Sequence, residues 1–360
     1  MDWIKILKCP VSGEDLSLLT PEELDSLNND IDSSCVWKAD GTLMDQPLEQ
    51  ALITTGKLHI YPIINGIVIL LSDLAITKFK DQLKPITVDE DKQLVRNFYN
   101  QKGWFTNEEG NYEDAVIYED LRDVSKDYLK KCHDRVSRFL NPSGEYMLDA
   151  ASGALQYTDY LQYSEGYKYR VCVDFSFQAL CEAKKKLNEK GIYILADMTN
   201  MPFKDSVMDG FVSLNTIYHI PKDQQVKAIN ELYRLLAKNG KGVVVYDWFK
   251  HSPWMNITML PFRGFVFIKN RLLNAFGKAF GTGAPQKRLY FYAHNQEFFK
   301  KNLPPFKIAV WRSLSVHFMR YYVHKGLLGK RFLDWVYAKE EKDPELCGLK
   351  GEYPMFIFEK

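Results

Sequence analysis

The sequence predicts an α/β fold built on a parallel sheet, with a small β-rich segment before it and an aromatic, basic extension after it. Three observations carry this. Short apolar runs at Tyr146–Leu148, Tyr169–Val173 and Ile192–Ala196 recur at the spacing of strand-helix units. Each runs straight into an aspartate: Asp149, Asp174 and Asp197. Two further runs, Gly210–Leu214 ending at Asn215 and Gly242–Tyr246 ending at Asp247, flank an amphipathic helical stretch. Strands dense in Val, Ile and Leu that alternate with helices form parallel sheets buried on both faces, and such sheets bind ligands beyond the carboxyl ends of their strands. Three carboxylates therefore converge on one rim.

The elements follow in order. Ile6–Leu16 and Ile60–Leu71 open and close a first segment, residues 1–75, and a polar stretch from Asp73 to Lys92 reads as a linker running into a helix. Residues 76–144 then carry aromatics interleaved with acids, among them Tyr99, Trp104 and Tyr112. These fit either a lid over a ligand or plain core packing. A helix over Ser125–Leu140, stopped by Asn141-Pro142-Ser143-Gly144, delivers the chain to the first strand.

Within residues 145–250 the small-residue turn Ala150–Ala154 leads to a helix carrying Leu155 and Leu161. Ser176 is placed to cap a helix with Ala179, Leu180, Ala183 and Leu187 on one face. Val226, Ile229, Leu232, Tyr233 and Leu236 form the stripe of another, from about Lys222 to Lys238, stopped by Asn239-Gly240.

A single Asp after a strand is more often a cap or turn residue. Three at this spacing, with a small-residue turn before the first helix, point to a nucleoside ligand: the turn lets it approach the backbone, and an Asp ending the second strand accepts ribose hydroxyls. One glycine stands where the pyrophosphate-binding fingerprint has three, which argues against a dinucleotide.

Here residues 145–250 resemble the class I S-adenosylmethionine-dependent methyltransferases, and Asp197-Met198-Thr199-Asn200-Met201-Pro202-Phe203-Lys204-Asp205 with Met208-Asp209 is similar to the small-molecule branch typified by quinone-ring methyltransferases. The resemblance implies a Rossmann-like seven-stranded sheet with an antiparallel last strand, and S-adenosyl-L-methionine as cofactor. It also implies roles: Asp149 holds the methionine part, the turn through Ala151, Ser152 and Gly153 passes under the cofactor, and Asp174 with Phe175 and Ser176 takes the ribose. Asp197 and Met198 flank the adenine, and Asn215 completes the rim. The family's D-x-G-x-G-x-G stands here as Asp149-Ala150-Ala151-Ser152-Gly153-Ala154-Leu155, with Ala151 and Leu155 in place of glycines.

The first 75 residues resemble the small zinc-ribbon-like partner subunit of some transfer-RNA and protein methyltransferases, in degenerate form. Cys9 keeps the first ligand place, Ser12 takes the second, and no later C-x-x-C pair precedes Tyr61-Pro62, so no metal is expected. Cys35 and His59 with Cys9 would make an irregular set without spacing logic. Six cysteines without a C-x-x-C pair imply no disulfide framework and suit a reducing cytoplasm.

Methyl transfer needs in-line positioning more than proton chemistry, and a base chiefly when the acceptor is a hydroxyl. His219, after the fourth strand, is the first candidate, since its ordinary pKa of about 6.5 suits that task. Tyr218 and His251 follow; a structural role is the alternative for each. From Met255 to Phe280 the chain is aromatic and aliphatic, broken by Arg263, Lys269, Arg271 and Lys278. That suits a substrate cap over 251–304 or an amphipathic piece on a lipid surface, and the substrate-end location favours the cap. Gln286–Tyr292 reads as a return strand, His294–Asn302 as a helix, and Phe306–Trp311 with Tyr353–Glu359 as the last hairpin in 305–360. Arg312, Arg320 and His317 between them could bind an anionic acceptor or be solvated.

A formal net charge of +1 gives no case for nucleic acid, and no apolar run spans a bilayer. The reading is a cytoplasmic methyltransferase acting on an oxygen or nitrogen of a sugar or specialised metabolite. Its alternatives are a catalytically inactive Rossmann-like scaffold and a methyltransferase of transfer RNA or protein.

Overall fold

The computed structural model describes residues 2–79, 90, 92–93, 112–276 and 290–360. Its strands are β1 (Leu16–Leu18), β2 (Trp37–Lys38), β3 (Gln50–Thr54), β4 (Ile60–Ile64), β5 (Ile67–Ile69), β6 (Ile76–Thr77), β7 (Gly144–Ala150), β8 (Tyr167–Asp174), β9 (Gly191–Leu195), β10 (Met208–Leu214), β11 (Leu236–Val245), β12 (Lys307–Arg312) and β13 (Tyr353–Glu359). The described α-helices are α1 (Pro21–Asp32), α2 (Glu113–Tyr118), α3 (Asp123–Ser137), α4 (Phe177–Leu187), α5 (Gln225–Leu235), α6 (Pro253–Thr258), α7 (Leu260–Phe276), α8 (Gln296–Asn302), α9 (Val316–Tyr322), α10 (Gly329–Lys342) and α11 (Pro344–Lys350).

The apolar runs become the centre of one mixed sheet. Its order through the core is β9-β8-β7-β10-β11-β13-β12, with β9 through β11 parallel and β13 antiparallel to both neighbours. Val171, Cys172, Val173, Val212, Val243, Val244 and Val245 are fully buried, as expected of strands covered on both faces. Ser176 caps α4, its hydroxyl accepting from the Ala179 amide, and Ala179, Leu180 and Ala183 turn inward. Along α5 the buried stripe is Ala228, Ile229, Leu232 and Leu235.

The N-terminal segment is continuous with this sheet. β5 runs parallel to β9, Ile67 to Ile69 opposite Tyr193 to Leu195, and the order continues outward through β4, β3 and β1. The Cys9 sulfur lies 3.0 Å from the Tyr61 hydroxyl and accepts from the amides of Val11 and Ser12. Cys35 is exposed, and no group of three metal-ligating side chains occurs among the described residues.

Three expected elements differ. Instead of an α-helix after β7, residues Thr158–Ser164 form a 3-10 helix. Arg170 donates to the Tyr160 carbonyl at 2.6 Å, and at the three-residue period that a 3-10 helix brings into line Tyr157 meets Tyr160 edge-on while Tyr160 stacks on Tyr163. The helix expected to reach Lys238 stops at Leu235: β11 starts at Leu236, and Asn239 takes its left-handed conformation (φ 65°) within the strand. The proposed return strand is irregular where described, from Tyr290, and its earlier part lies outside the described residues, as do Tyr99 and Trp104.

Candidate functional site

A cavity of about 700 Å³ opens over the carboxyl ends of the parallel strands. It brings together Asp149, Ala151, Ser152, Gly153, Asp174, Phe175, Asp197, Met198, Asn215, Tyr218 and His219 of the predicted set. Two predicted residues stand outside its lining. Ser176 is committed to capping α4, and the His251 ring lies 3.1 Å from the Ala293 carbonyl. Tyr112 is also absent from the lining; it packs against Ala115 and Ala154.

The first turn keeps its shape without the family's glycines. Ala151 (φ 59°), Gly153 (φ 55°) and Leu155 (φ 50°) all take left-handed conformations, at a cost of about 1–2 kcal/mol for each non-glycine. Asp174 anchors this turn: its carboxylate accepts from the Gly153 amide at 2.8 Å and from the Ser176 amide at 2.8 Å. Burial pushes its pKa up to about 6 against the pull of those amides. Asp149 is paired inside the protein with Arg170, which donates from Nε at 2.9 Å and from Nη2 at 2.5 Å. Arg170 is fully buried, so the charge of Asp149 is balanced from behind the sheet end.

Asp197 is more engaged than its adenine-flanking role implies. One oxygen accepts from the amide and hydroxyl of Thr199, the other from Lys92 at 2.6 Å. Lys92 lines the cavity and was not legible as a site residue from its place in the polar linker. Asn215 Oδ1 is buried without a partner among the described residues, and the residue itself holds φ 56°.

On the other side lie residues that the sequence left out or assigned elsewhere. Arg312, 1% exposed, pairs with Glu119 and stacks over Trp311 and Tyr353. Burial alone would raise Glu119, but Arg312 and His133 outweigh it and hold the carboxyl below its usual range. Arg320 is committed to the Val116 and Glu119 carbonyls. Arg320 is thus taken up by backbone carbonyls and stands outside the lining, while Arg312 and His317 both line the cavity, Arg312 with its Nε without a partner among the described residues.

Asp247 and Glu352 also face this cavity from adjoining strand ends, where the Trp248 amide donates to the Glu352 carbonyl. Burial raises both carboxyls, and Asp247 adds to the rise at Glu352. Glu352 Oε2 is buried without a partner among the described residues. Asp247 ends its strand as the other three aspartates do, which was the available signal; Glu352 precedes the last strand and carried none.

His219 Nδ1 donates to the Tyr290 carbonyl at 2.8 Å, and burial lowers its pKa to about 4. The ring is thus neutral at physiological pH. Tyr218 and Phe291 pack beside it, and Phe291 packs against Phe249, giving this end of the cavity an aromatic wall.

Residues 148–244 match a family model described as a methyltransferase domain. Two curated relatives, named "Probable tRNA methyltransferase 9B" in Mus musculus and in Homo sapiens, are each 25% identical over 138 residues, 37% of this chain and 28% of theirs. The chain thus covers 28% of the length of those relatives. Among solved structures, the magnesium protoporphyrin IX methyltransferase of Synechocystis is 19% identical over 61% of this chain and 91% of its own, with a TM-score of 0.38. A SAM-dependent methyltransferase from Aquifex aeolicus is 20% identical over 35% and 69%, with a TM-score of 0.30. The matched residues 148–244 form the parallel centre of the sheet, from β7 to β11, so that the sequence match to a methyltransferase domain and the Rossmann-like strand order fall on the same part of the chain.

Proposed function

We propose that this chain is an S-adenosylmethionine-dependent methyltransferase whose acceptor is a small molecule presenting a hydroxyl or amine to Asp247 and Glu352. The observation that carries the reading is the convergence of Asp149, Asp174, Asp197 and the left-handed turn on one cavity, within the matched methyltransferase domain.

The residues present fit the cofactor. A turn with three left-handed residues brings backbone close to a ligand, Asp174 has an acceptor at the ribose place, and Asn215 Oδ1 is an unmatched acceptor on the same rim. S-adenosylmethionine, when bound, supplies a methyl group already activated by a sulfonium. The protein then has to orient, dry and balance protons. Asp174 receives ribose hydroxyls, and Tyr218, Phe249 and Phe291 exclude water from the acceptor end. Asp247, raised by burial to about 7, accepts a hydrogen bond from the acceptor and takes up the proton it sheds, while Glu352, raised further to about 9 and so protonated at neutral pH, donates a hydrogen bond from its carboxyl. His219, with its lowered pKa, serves as a neutral wall and hydrogen-bonding group rather than as the principal base.

Calorimetric titration with S-adenosylmethionine and S-adenosylhomocysteine, followed by a mass-shift screen of hydroxyl and amine acceptors, tests this. Micromolar binding with a methylated product supports it; no binding to either cofactor form overturns it. A second reading, transfer RNA as acceptor, is favoured by the name of the two curated relatives, and label transfer to total transfer RNA distinguishes it.

A further inference from the structure

Residues 249–333 hold fifteen Lys and Arg and a single acid, Glu297, in a chain whose formal net charge is only +1. The described part of this region also carries the most exposed apolar helix among the described residues. In α7, Leu260 is 60% exposed, Phe265 56%, Phe267 65% and Ile268 59%; Ile257, just before it, is 67% exposed. A cap over the substrate would bury these groups. Phe265 and Phe267 leave the helix on nearly opposite sides at about 100° per residue, so no single packed face accounts for both. An exposed apolar arc on a helix that also carries exposed basic side chains is the pattern of a helix lying in the plane of a lipid surface.

Basic groups accompany the apolar ones. Arg263, Lys269 and Arg271 are exposed on α7, and no acid lies between Asp247 and Glu297. Phe262 meets Tyr321 of α9 with ring centroids 4.0 Å apart. Just beyond α9, Leu327 and Leu328 are 74% and 63% exposed beside Lys325, Lys330 and Arg331. No described helix is long and apolar enough to cross a membrane, which leaves in-plane association.

We propose that α7, with the Leu327-Leu328 corner, docks this protein onto an anionic lipid bilayer surface. The apolar side chains enter the acyl boundary, and the lysines and arginines meet the phosphate headgroups. Nucleic acid would use the same charge but has no place for Leu260, Ile257, Ile268, Leu327 and Leu328. Because α6 and α7 leave the end of β11 through Phe249, which lines the cavity and is 52% exposed, docking brings the cavity mouth to the membrane face. The docking itself does not depend on the methyltransferase reading.

The test is co-sedimentation of the full chain, without cofactor, with vesicles of phosphatidylcholine alone and with a one-third share of phosphatidylglycerol. Binding to the anionic vesicles, weakened by salt, is expected. The Phe265→Asp/Ile268→Asp variant should bind at least about tenfold less while keeping its thermal midpoint and its affinity for S-adenosylmethionine. Failure of the natural chain to bind anionic vesicles, or equal binding by the double variant, overturns the proposal. So does retention of total RNA in a gel shift that the double variant leaves unchanged, without vesicle binding. Loss of cofactor affinity in the natural chain would instead strike the methyltransferase reading alone.

Discussion

Replacing Asp174 by Ala separates cofactor binding from folding, because the two effects of that carboxylate nearly oppose each other. Its folded pKa of about 6 lies above the ordinary 3.8, so the folded state takes up a proton more readily than the unfolded chain. Its contribution to stability is most favourable below the unfolded value and is lost as pH rises through about 6. At neutral pH the buried charge therefore costs about 3 kcal/mol, at about 1.4 kcal/mol per pH unit of displacement. Removing it relieves that cost but orphans the amides of Gly153 and Ser176, each worth about 1–3 kcal/mol when left unpaired in the interior. The apo protein should therefore melt within a few degrees of the natural chain. Cofactor affinity has no such compensation. Losing a hydrogen bond from a ribose hydroxyl to a charged acceptor removes about 1.5–3 kcal/mol, and the turn that carries Gly153 loses its anchor. A rise in Kd of about 10- to 150-fold follows at pH 8. Calorimetry on the variant, with its melting curve beside it, is the assay. A folded variant that binds S-adenosylmethionine within threefold of the natural chain would refute the assignment of Asp174 to the ribose.

Asp247→Asn should lower kcat by about 10²- to 10⁴-fold if Asp247 accepts the proton of the acceptor, with the calorimetric Kd for the cofactor unchanged, whereas Glu352→Gln, which keeps a hydrogen-bond donor in place of a protonated carboxyl, should lower it far less. Glu119→Gln leaves Arg312 buried without its counter-charge, and urea unfolding should register a loss of about 3–5 kcal/mol. Because His219 already sits near pKa 4, the profile of kcat/KM between pH 5.5 and 7.5 should be the same for His219→Asn as for the natural chain; an inflection near 6.5 that only the natural chain has would restore His219 as the base.

The core of the fold was legible because its signals are local. Apolar runs ending in Asp149, Asp174 and Asp197, with a capped helix at Ser176, specify parallel strands and their rim without any long-range knowledge, and the hairpin of β12 and β13 follows from two further runs. The acceptor end was opaque because its contacts span the chain. Glu119 meets Arg312 across 193 residues and Lys92 reaches Asp197 across 105, and no period or spacing encodes such a pair. Arg170 sits inside the second strand's apolar run and gives no hint that its guanidinium balances Asp149 and also takes a carbonyl of the 3-10 helix that precedes that strand. For α7 the composition was readable but its exposure was not, since the same residues suit a buried cap.

The parallel pairing of β5 with β9 alters how the cavity-bearing sheet relates to the N-terminal segment. A strand that docks on a sheet edge from a separate chain comes and goes with dilution, whereas here the edge partner is tethered through one polypeptide and its local concentration is fixed. The row of amides and carbonyls on β9 is thereby occupied for as long as the chain is folded, which withholds it from other strands. Cutting the N-terminal segment away would not yield a smaller protein with the same sheet. It would leave Gly191–Leu195 as an open template at the border of the cofactor rim, so the two parts have to be inherited, expressed and engineered as one.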